Sequence, residues 1–192
     1  MLEAVSDRAT YDGFVSVGAI ETVVHTWLPE MLKRLRHQFP KVRVEIHSYI
    51  TADLHEELLK GNIDLALTAQ TLANPAIQNS SICGFQMGWI IAPNAKGNPP
   101  LSDVELLDRL PILTFLRDSL VYRDVVAKLG RYCVARINPI SSIAAMVSLV
   151  RTGYGLATLP HAVIAPALDS GELIALEGVP ELAAVTGYCE LA

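Results

Sequence analysis

Apolar residues recur along this chain with two alternating periods, and the switch between them marks its elements. Phe14, Val15 and Val17, bounded by Gly13 and Gly18, predict a short strand over 13–18. Val24, Leu28, Met31 and Leu35 then return every three or four positions, with Glu30, Lys33, Arg34 and Arg36 between them, which predicts a helix over 22–37. Pro29 removes a backbone donor inside that helix and should bend or restart it, and Pro40 stops it. Val42-Arg43-Val44-Glu45-Ile46 alternates strictly, the pattern of a half-buried strand. Thr51 is placed as the N-cap of a helix over 52–60, Gly61 as its C′ residue, and 63–67 as a third strand. A β-α-β-α-β order with short connections implies parallel strands joined by crossover helices.

The stretch 71–81 is polar, contains Asn74-Pro75 and has little periodicity, so it is the best linker candidate. Strands are then expected at 87–92, 111–115, 134–137, 155–159 and 172–176. Ser102-Asp103-Val104-Glu105 has capping-box spacing and should open a short helix. Another helix is expected over 122–129, and a third runs from a Ser141 or Ser142 cap to Arg151-Thr152-Gly153. The chain thus divides into two α/β lobes.

Composition narrows the class further. Hydrophobic residues make up 51% of the 192 and the formal net charge is −5, which excludes disorder, collagen and coiled coil. A pI near 5.5 argues against this chain gripping a phosphate backbone by itself. Mean hydropathy is +0.34, yet every apolar stretch is interrupted well before the roughly 18 residues a membrane span requires. The polar N-terminus has no apolar signal core. Cys83, Cys133 and Cys189 are odd in number and widely spaced, which suits reduced thiols in the cytoplasm better than a disulfide or zinc framework.

Candidate chemistry is sparse. The five histidines, at 25, 37, 47, 55 and 161, form no metal-ligand pair, and no metal or cofactor is expected. His55-Glu56-Glu57 lies on a helix whose adjacent residues do not share a face, so a solvated surface is the preferred reading. There is no Gly-x-Ser-x-Gly elbow, and Gly153-Tyr154-Gly155 sits between helix and strand, the wrong order for a dinucleotide fingerprint. Lys33, Arg34, Arg36, Lys41 and Arg43 form a basic stripe, read as a solvated face rather than an anion site. What recurs is hydroxyl residues where strands give way to helices: Thr22, Thr51 and Ser142, with Thr114 at a strand end. Each is an ordinary cap taken singly. Together they offer donors and helix N-termini suited to a small carboxylate or similar anion.

Several longer runs share one order along the chain: Gly18 followed by Leu28-Pro29, then Phe39-Pro40 and Val42, and then Leu58-Leu59-Lys60-Gly61-Asn62-Ile63-Asp64-Leu65-Ala66-Leu67. Ser142 then leads into Val150-Arg151-Thr152-Gly153-Tyr154-Gly155-Leu156-Ala157-Thr158-Leu159-Pro160. In this order and spacing they resemble the effector-binding domain of LysR-type transcriptional regulators. The resemblance implies an α/β chain of two Rossmann-like lobes, the type 2 periplasmic-binding-protein fold with an interdomain effector cleft. Residues 1–12 would be a linker remnant, 13–78 and 182–192 lobe 1 (its second segment truncated), and 79–181 lobe 2. The implied function is ligand sensing: a small metabolite, such as a carboxylate or aromatic acid, would modulate DNA binding by a separate winged helix-turn-helix domain. Carried over by position, the implied effector contacts are Thr22, Thr51, Thr114, Phe115 and Ser142. The full-length protein would be a cytoplasmic homodimer or homotetramer, pairing through the first helix and second strand, with no membrane partner.

Two departures bear on the ligand. Glu21 stands where small or hydroxyl residues are common, and Tyr49 where glycine is frequent; the first brings a carboxylate towards the site, the second bulk. The alternative is a transport-associated solute-binding protein of the same fold. An enzyme of this architecture would need an acid in the cleft, and only Thr22 with Glu21 offers itself, so no catalytic residue is assigned.

Overall fold

The chain is described by a computed structural model over residues 11–192, with backbone alone for 131–133. Most of the linker remnant expected at 1–12 therefore lies outside the described residues. The fold comprises two units, one holding the chain up to Cys83 together with Thr186–Ala192, the other Gly84–Val185.

In the first unit, alternation at the start of the chain gives β1 (Asp12–Ala19), followed by α1 (Glu21–Val24) and α2 (Leu28–Gln38). Pro29 does restart the helix: it occupies the first turn of α2, where its missing N–H has no intrahelical acceptor to lose. Then come β2 (Lys41–Ser48), α3 (Thr51–Leu59), β3 (Leu65–Thr68) and β4 (Gln78–Phe85), and β10 (Val185–Leu191) returns at the end of the chain. The sheet order is β2-β1-β3-β10-β4. Strand β1 is parallel to both β2 and β3, as the crossover order requires, and β10 runs antiparallel to β3. Leu54 and Leu58 of α3 pack with Ile63 and Ala66. Gly18 does not end its strand; it lets α3 close down, because a Cβ there would stand 2.5 Å from Leu54 and 2.6 Å from Ile63.

Gly61, at φ 72°, terminates α3 with Gly61 N–H donating to Leu58 O and Asn62 N–H to Glu57 O. The chain then turns through Asp64, whose backbone and side chain both serve β1. Asp64 N–H donates to Ser16 O (2.8 Å), and its carboxylate accepts Ser16 N–H (2.7 Å). This exchange extends the β1–β3 ladder beyond the residues that pair as strands, and it explains why an acidic residue precedes the apolar run 65–67.

The second unit contains β5 (Met87–Ile91), α4 (Asp103–Arg109), β6 (Ile112–Thr114), α5 (Leu120–Leu129), β7 (Ile137–Pro139), α6 (Ile143–Arg151), β8 (Leu156–Pro160), α7 (His161–Asp169) and β9 (Ile174–Ala175). Its sheet order is β7-β6-β8-β5-β9. Strand β6 is parallel to β7 and β8, while β5 runs antiparallel to β8 and β9. Helices cover both faces, so β5 is apolar throughout: Trp89 and Ile91 join the cluster with Leu106 and Val125, and Ile90 joins the one with Met146 and Ile164. The expected capping box is present, with Ser102 and Glu105 exchanging backbone contacts; the Ser102 N–H and hydroxyl hold the Glu105 carboxyl below its usual range. The irregular segment 177–184 is held by Asp103 accepting Glu177 N–H, Trp89 Nε1–H donating to Pro180 O, and Asp124 accepting Ala183 N–H.

Three expectations need correction. The linker proposed for 71–81 ends early, because residues from Gln78 form β4. As an edge strand it is mostly exposed and carries no apolar alternation. The strand expected at 134–137 is a 3-10 turn over Arg131–Arg136, and β7 begins where that turn ends. Arg136 donates to Leu107 O (2.6 Å), tying the turn to the end of α4. Helix α7 was not expected, since its apolar residues and internal Pro166 give no clear amphipathic period.

Asp64→Ala should lower the unfolding free energy by about 1–3 kcal/mol, since the buried Ser16 N–H loses its acceptor. Removing the exposed Arg151–Glu172 pair with Arg151→Ala should change it by less than about 1 kcal/mol. Urea denaturation measures both.

Candidate functional site

The hydroxyl residues singled out from the sequence fall at the carboxyl ends of parallel strands in each sheet. In open α/β sheets this is where ligands bind, because strand ends and helix starts leave unpaired backbone groups there.

In the first unit, Ile20 N–H donates to Leu67 O, which joins the start of α1 to the end of β3. Thr22 follows in the first turn of α1 and is only 7% exposed; its carbonyl accepts the Thr26 hydroxyl. Thr51 is not the N-cap of α3. That position belongs to Ile50, whose extended backbone (ψ 158°) carries the carbonyl that accepts Leu54 N–H. Thr51 Oγ1 instead accepts the N–H of Ala69, just beyond β3 (3.3 Å). Tyr49 is exposed and lies stacked on His47, with ring centroids 6.0 Å apart.

In the second unit, Thr114 ends β6 with no exposed surface. Its hydroxyl is 2.7 Å from that of Thr158 on the neighbouring β8, and its carbonyl accepts Ile140 N–H. Phe115 is partly buried and packs against both apolar clusters. Ser142 caps α6, its Oγ accepting Ala145 N–H at 3.3 Å, as its sequence position implies. Thr114 and Ser142 thus flank the ends of the paired strands β6 and β7.

Thr158 carries no local signal in the sequence, because only the β6–β8 register places it beside Thr114. His55 also departs from expectation. Rather than facing solvent, its side chain is 16% exposed and its Nε2 lies 3.0 Å from Oε2 of Glu190, a residue with no exposed surface on β10. The basic stripe remains on the surface, with Lys33 and Arg34 paired to Glu30. Burial, and secondarily the Glu190 charge, push the Cys189 thiol up, so it is held as the thiol rather than the reactive thiolate. Among the described residues no cluster of histidine, cysteine or acidic side chains could hold a metal ion.

Comparison with known proteins follows the same lines. A family model described as the LysR substrate binding domain matches residues 8–188. A probable hydrogen peroxide-inducible genes activator of Streptomyces viridosporus is 28% identical over 181 residues, covering 90% of this chain and 57% of that protein. The HTH-type transcriptional regulator DgdR of Burkholderia cepacia is 29% identical over 174 residues, covering 88% of this chain and 54% of that one. The chain therefore spans little more than half the length of these relatives. Among solved structures, the cofactor-binding domain of the Cbl transcriptional regulator superposes with a TM-score of 0.78 at 18% identity, covering 96% of this chain and 82% of that one. The CrgA regulatory domain of Neisseria meningitidis gives 0.73 at 20% identity, covering 94% and 89%. With its fold shared by these regulatory domains and its sequence matched by the family model from residue 8 to residue 188, the chain belongs to the LysR substrate-binding domain family.

Proposed function

We propose that this chain is the ligand-sensing part of a LysR-type transcription factor. It binds a small metabolite and thereby modulates DNA binding by a winged helix-turn-helix domain of the full-length protein, in the cytoplasm. The observation that carries this reading is that Thr22, Thr51, Thr114 and Ser142 lie at the carboxyl ends of parallel strands. The matching relatives are transcriptional regulators, which does not favour a transport role.

Thr22, Thr51 and Ser142 are assigned as effector contacts. Thr114, whose hydroxyl lies against that of Thr158, and Phe115 are assigned to the same role. Hydroxyls and helix N-termini favour a ligand with oxygen acceptors, a small carboxylate or an aromatic acid. Binding helps signalling only to the extent that the ligand prefers one arrangement of the protein over another.

The full-length protein is proposed to be a homo-oligomer. On α2 only Leu28 is buried, while Met31, Leu32 and Leu35 are half-covered, and β2 is an edge strand exposing Ile46. A second copy placed on this face would cover the apolar stripe and the open edge together.

Two experiments test these readings. In a thermal-shift and calorimetric screen of small carboxylates and aromatic acids, a ligand at about 100 times its Kd should stabilise the chain by roughly 2.7 kcal/mol. Thr51→Ala should weaken that ligand about 5–10-fold, equivalent to about 1–1.4 kcal/mol. A ligand bound equally well after substitution of Thr22, Thr51 and Ser142 would remove the site. In sedimentation, the chain should self-associate, and Ile46→Arg should weaken association about tenfold or more without lowering the unfolding midpoint. A monomer at all concentrations would refute pairing through this face.

A further inference from the structure

Resting on the proposed effector role of Thr51, a second set of residues in the first unit bears on how a ligand there would be felt. Thr51 and His55 lie four residues apart on one face of α3. Both grip the segment 68–72, which follows β3. Ala69 N–H donates to Thr51 Oγ1 (3.3 Å), and His55 Nε2 lies 3.2 Å from Gln70 O. The same nitrogen is 3.2 Å from Glu190 Oε1 and 3.0 Å from Oε2. Leu72 N–H donates to Glu190 Oε1 at 2.9 Å, and the buried Thr68 hydroxyl donates to Gln70 O. Segment 68–72 is therefore pinned at one end by Thr51 and at the other by Glu190, with His55 between.

The chemistry of each group fixes its role. The neighbours of His55 Nε2 are a carbonyl and carboxylate oxygens, all acceptors, so Nε2 carries the ring proton and donates. Glu190 has no exposed surface, and its Oε2 makes no hydrogen bond among the described residues. Removing His55 would leave that carboxylate buried beside a single backbone donor, a costly state. A hydroxyl has one donor and two acceptor sites. Ala69 N–H occupies one acceptor site of Thr51, which leaves its O–H free to donate to a ligand oxygen.

We infer that residues 68–72 form a relay in which His55 and Glu190 act as positioning residues. They set the hydroxyl of Thr51 and couple it to β10, the strand by which the chain returns to the first unit. A ligand that draws on Thr51 shifts Ala69 and, through the short continuous segment, loads the contacts of Gln70 and Leu72 with His55 and Glu190. Coupling of this kind is reciprocal, so loosening Glu190 must also loosen Thr51.

Residue-resolved amide exchange on the ligand-free 192-residue chain tests this without reference to any effector. Glu190→Gln and His55→Leu should each accelerate exchange at both Ala69 and Leu72 by at least tenfold, leaving Val17 and Leu113 within twofold. His55→Gln keeps a donor and should restore protection at both. Thr51→Val should accelerate Leu72, whose N–H donates to Asn79 and Glu190 rather than to Thr51, as well as Ala69. Combined with Glu190→Gln it should add less than the sum of the two changes. If Thr51→Val affects Ala69 alone, or if the two substitutions are additive, the relay is wrong. Should Glu190→Gln fail to fold, the pair His55→Leu and His55→Gln decides the question. Failure of the ligand screen would leave these exchange rates untouched, so the two readings fail separately.

Discussion

A carboxylate with no exposed surface sits on the last strand of this chain, and much of the first unit is arranged to accommodate it. Glu190 enters the middle of the sheet on β10, between β3 and β4, where an unpaired charge would cost several kcal/mol. His55 and the Leu72 amide supply its partners, and both come from segments more than a hundred residues earlier. Meeting that requirement brings α3, the segment 68–72 and β10 together at one carboxylate. Because Thr51 shares the face of α3 that carries His55, the same requirement also sets where a candidate ligand contact can stand.

The second unit meets its constraint with apolar burial instead. Its helices cover both faces of the sheet, and its two buried threonines are matched to each other. Thr114 and Thr158 satisfy one another across β6 and β8, while side chains of Asp103, Trp89 and Asp124 hold the irregular segment 177–184. The units thus present hydroxyl-bearing strand ends by different routes: one backed by the buried His55–Glu190 contact, the other by a pair of threonine hydroxyls. Burial, and secondarily the Glu190 charge, holds the Cys189 thiol protonated.

Much of the strand and helix order could be read from periodicity, because α3 and α6 each bury one clear face and the apolar positions of α2 and β2, though only half-covered, keep their helical and strand spacing. Local chemistry marked the caps at Ser102 and Ser142 and the helix end at Gly61. Where the signal was tertiary, it failed. Polar β4 forms only because a sheet edge is there to receive it, and the 3-10 turn before β7 answers to Arg136 reaching the end of α4. Thr51 looked like an N-cap because threonine is common there, yet the sheet places Ala69 N–H against it and leaves the cap to Ile50. His55 looked solvated because Glu190 is 135 residues away in sequence. Of the candidate site, residue types and strand-end positions were legible; the partners that orient them were not.

Recognition of a small molecule with oxygen acceptors by hydroxyls at strand ends can be observed by native mass spectrometry of the folded chain exposed to a fractionated extract of small cellular metabolites. A single saturable 1:1 adduct of a low-mass acid is expected, strongly reduced by Thr51→Ala and by Ser142→Ala in otherwise folded protein. An extract that yields no saturable adduct, or an adduct retained at full occupancy in both variants, would rule such recognition out.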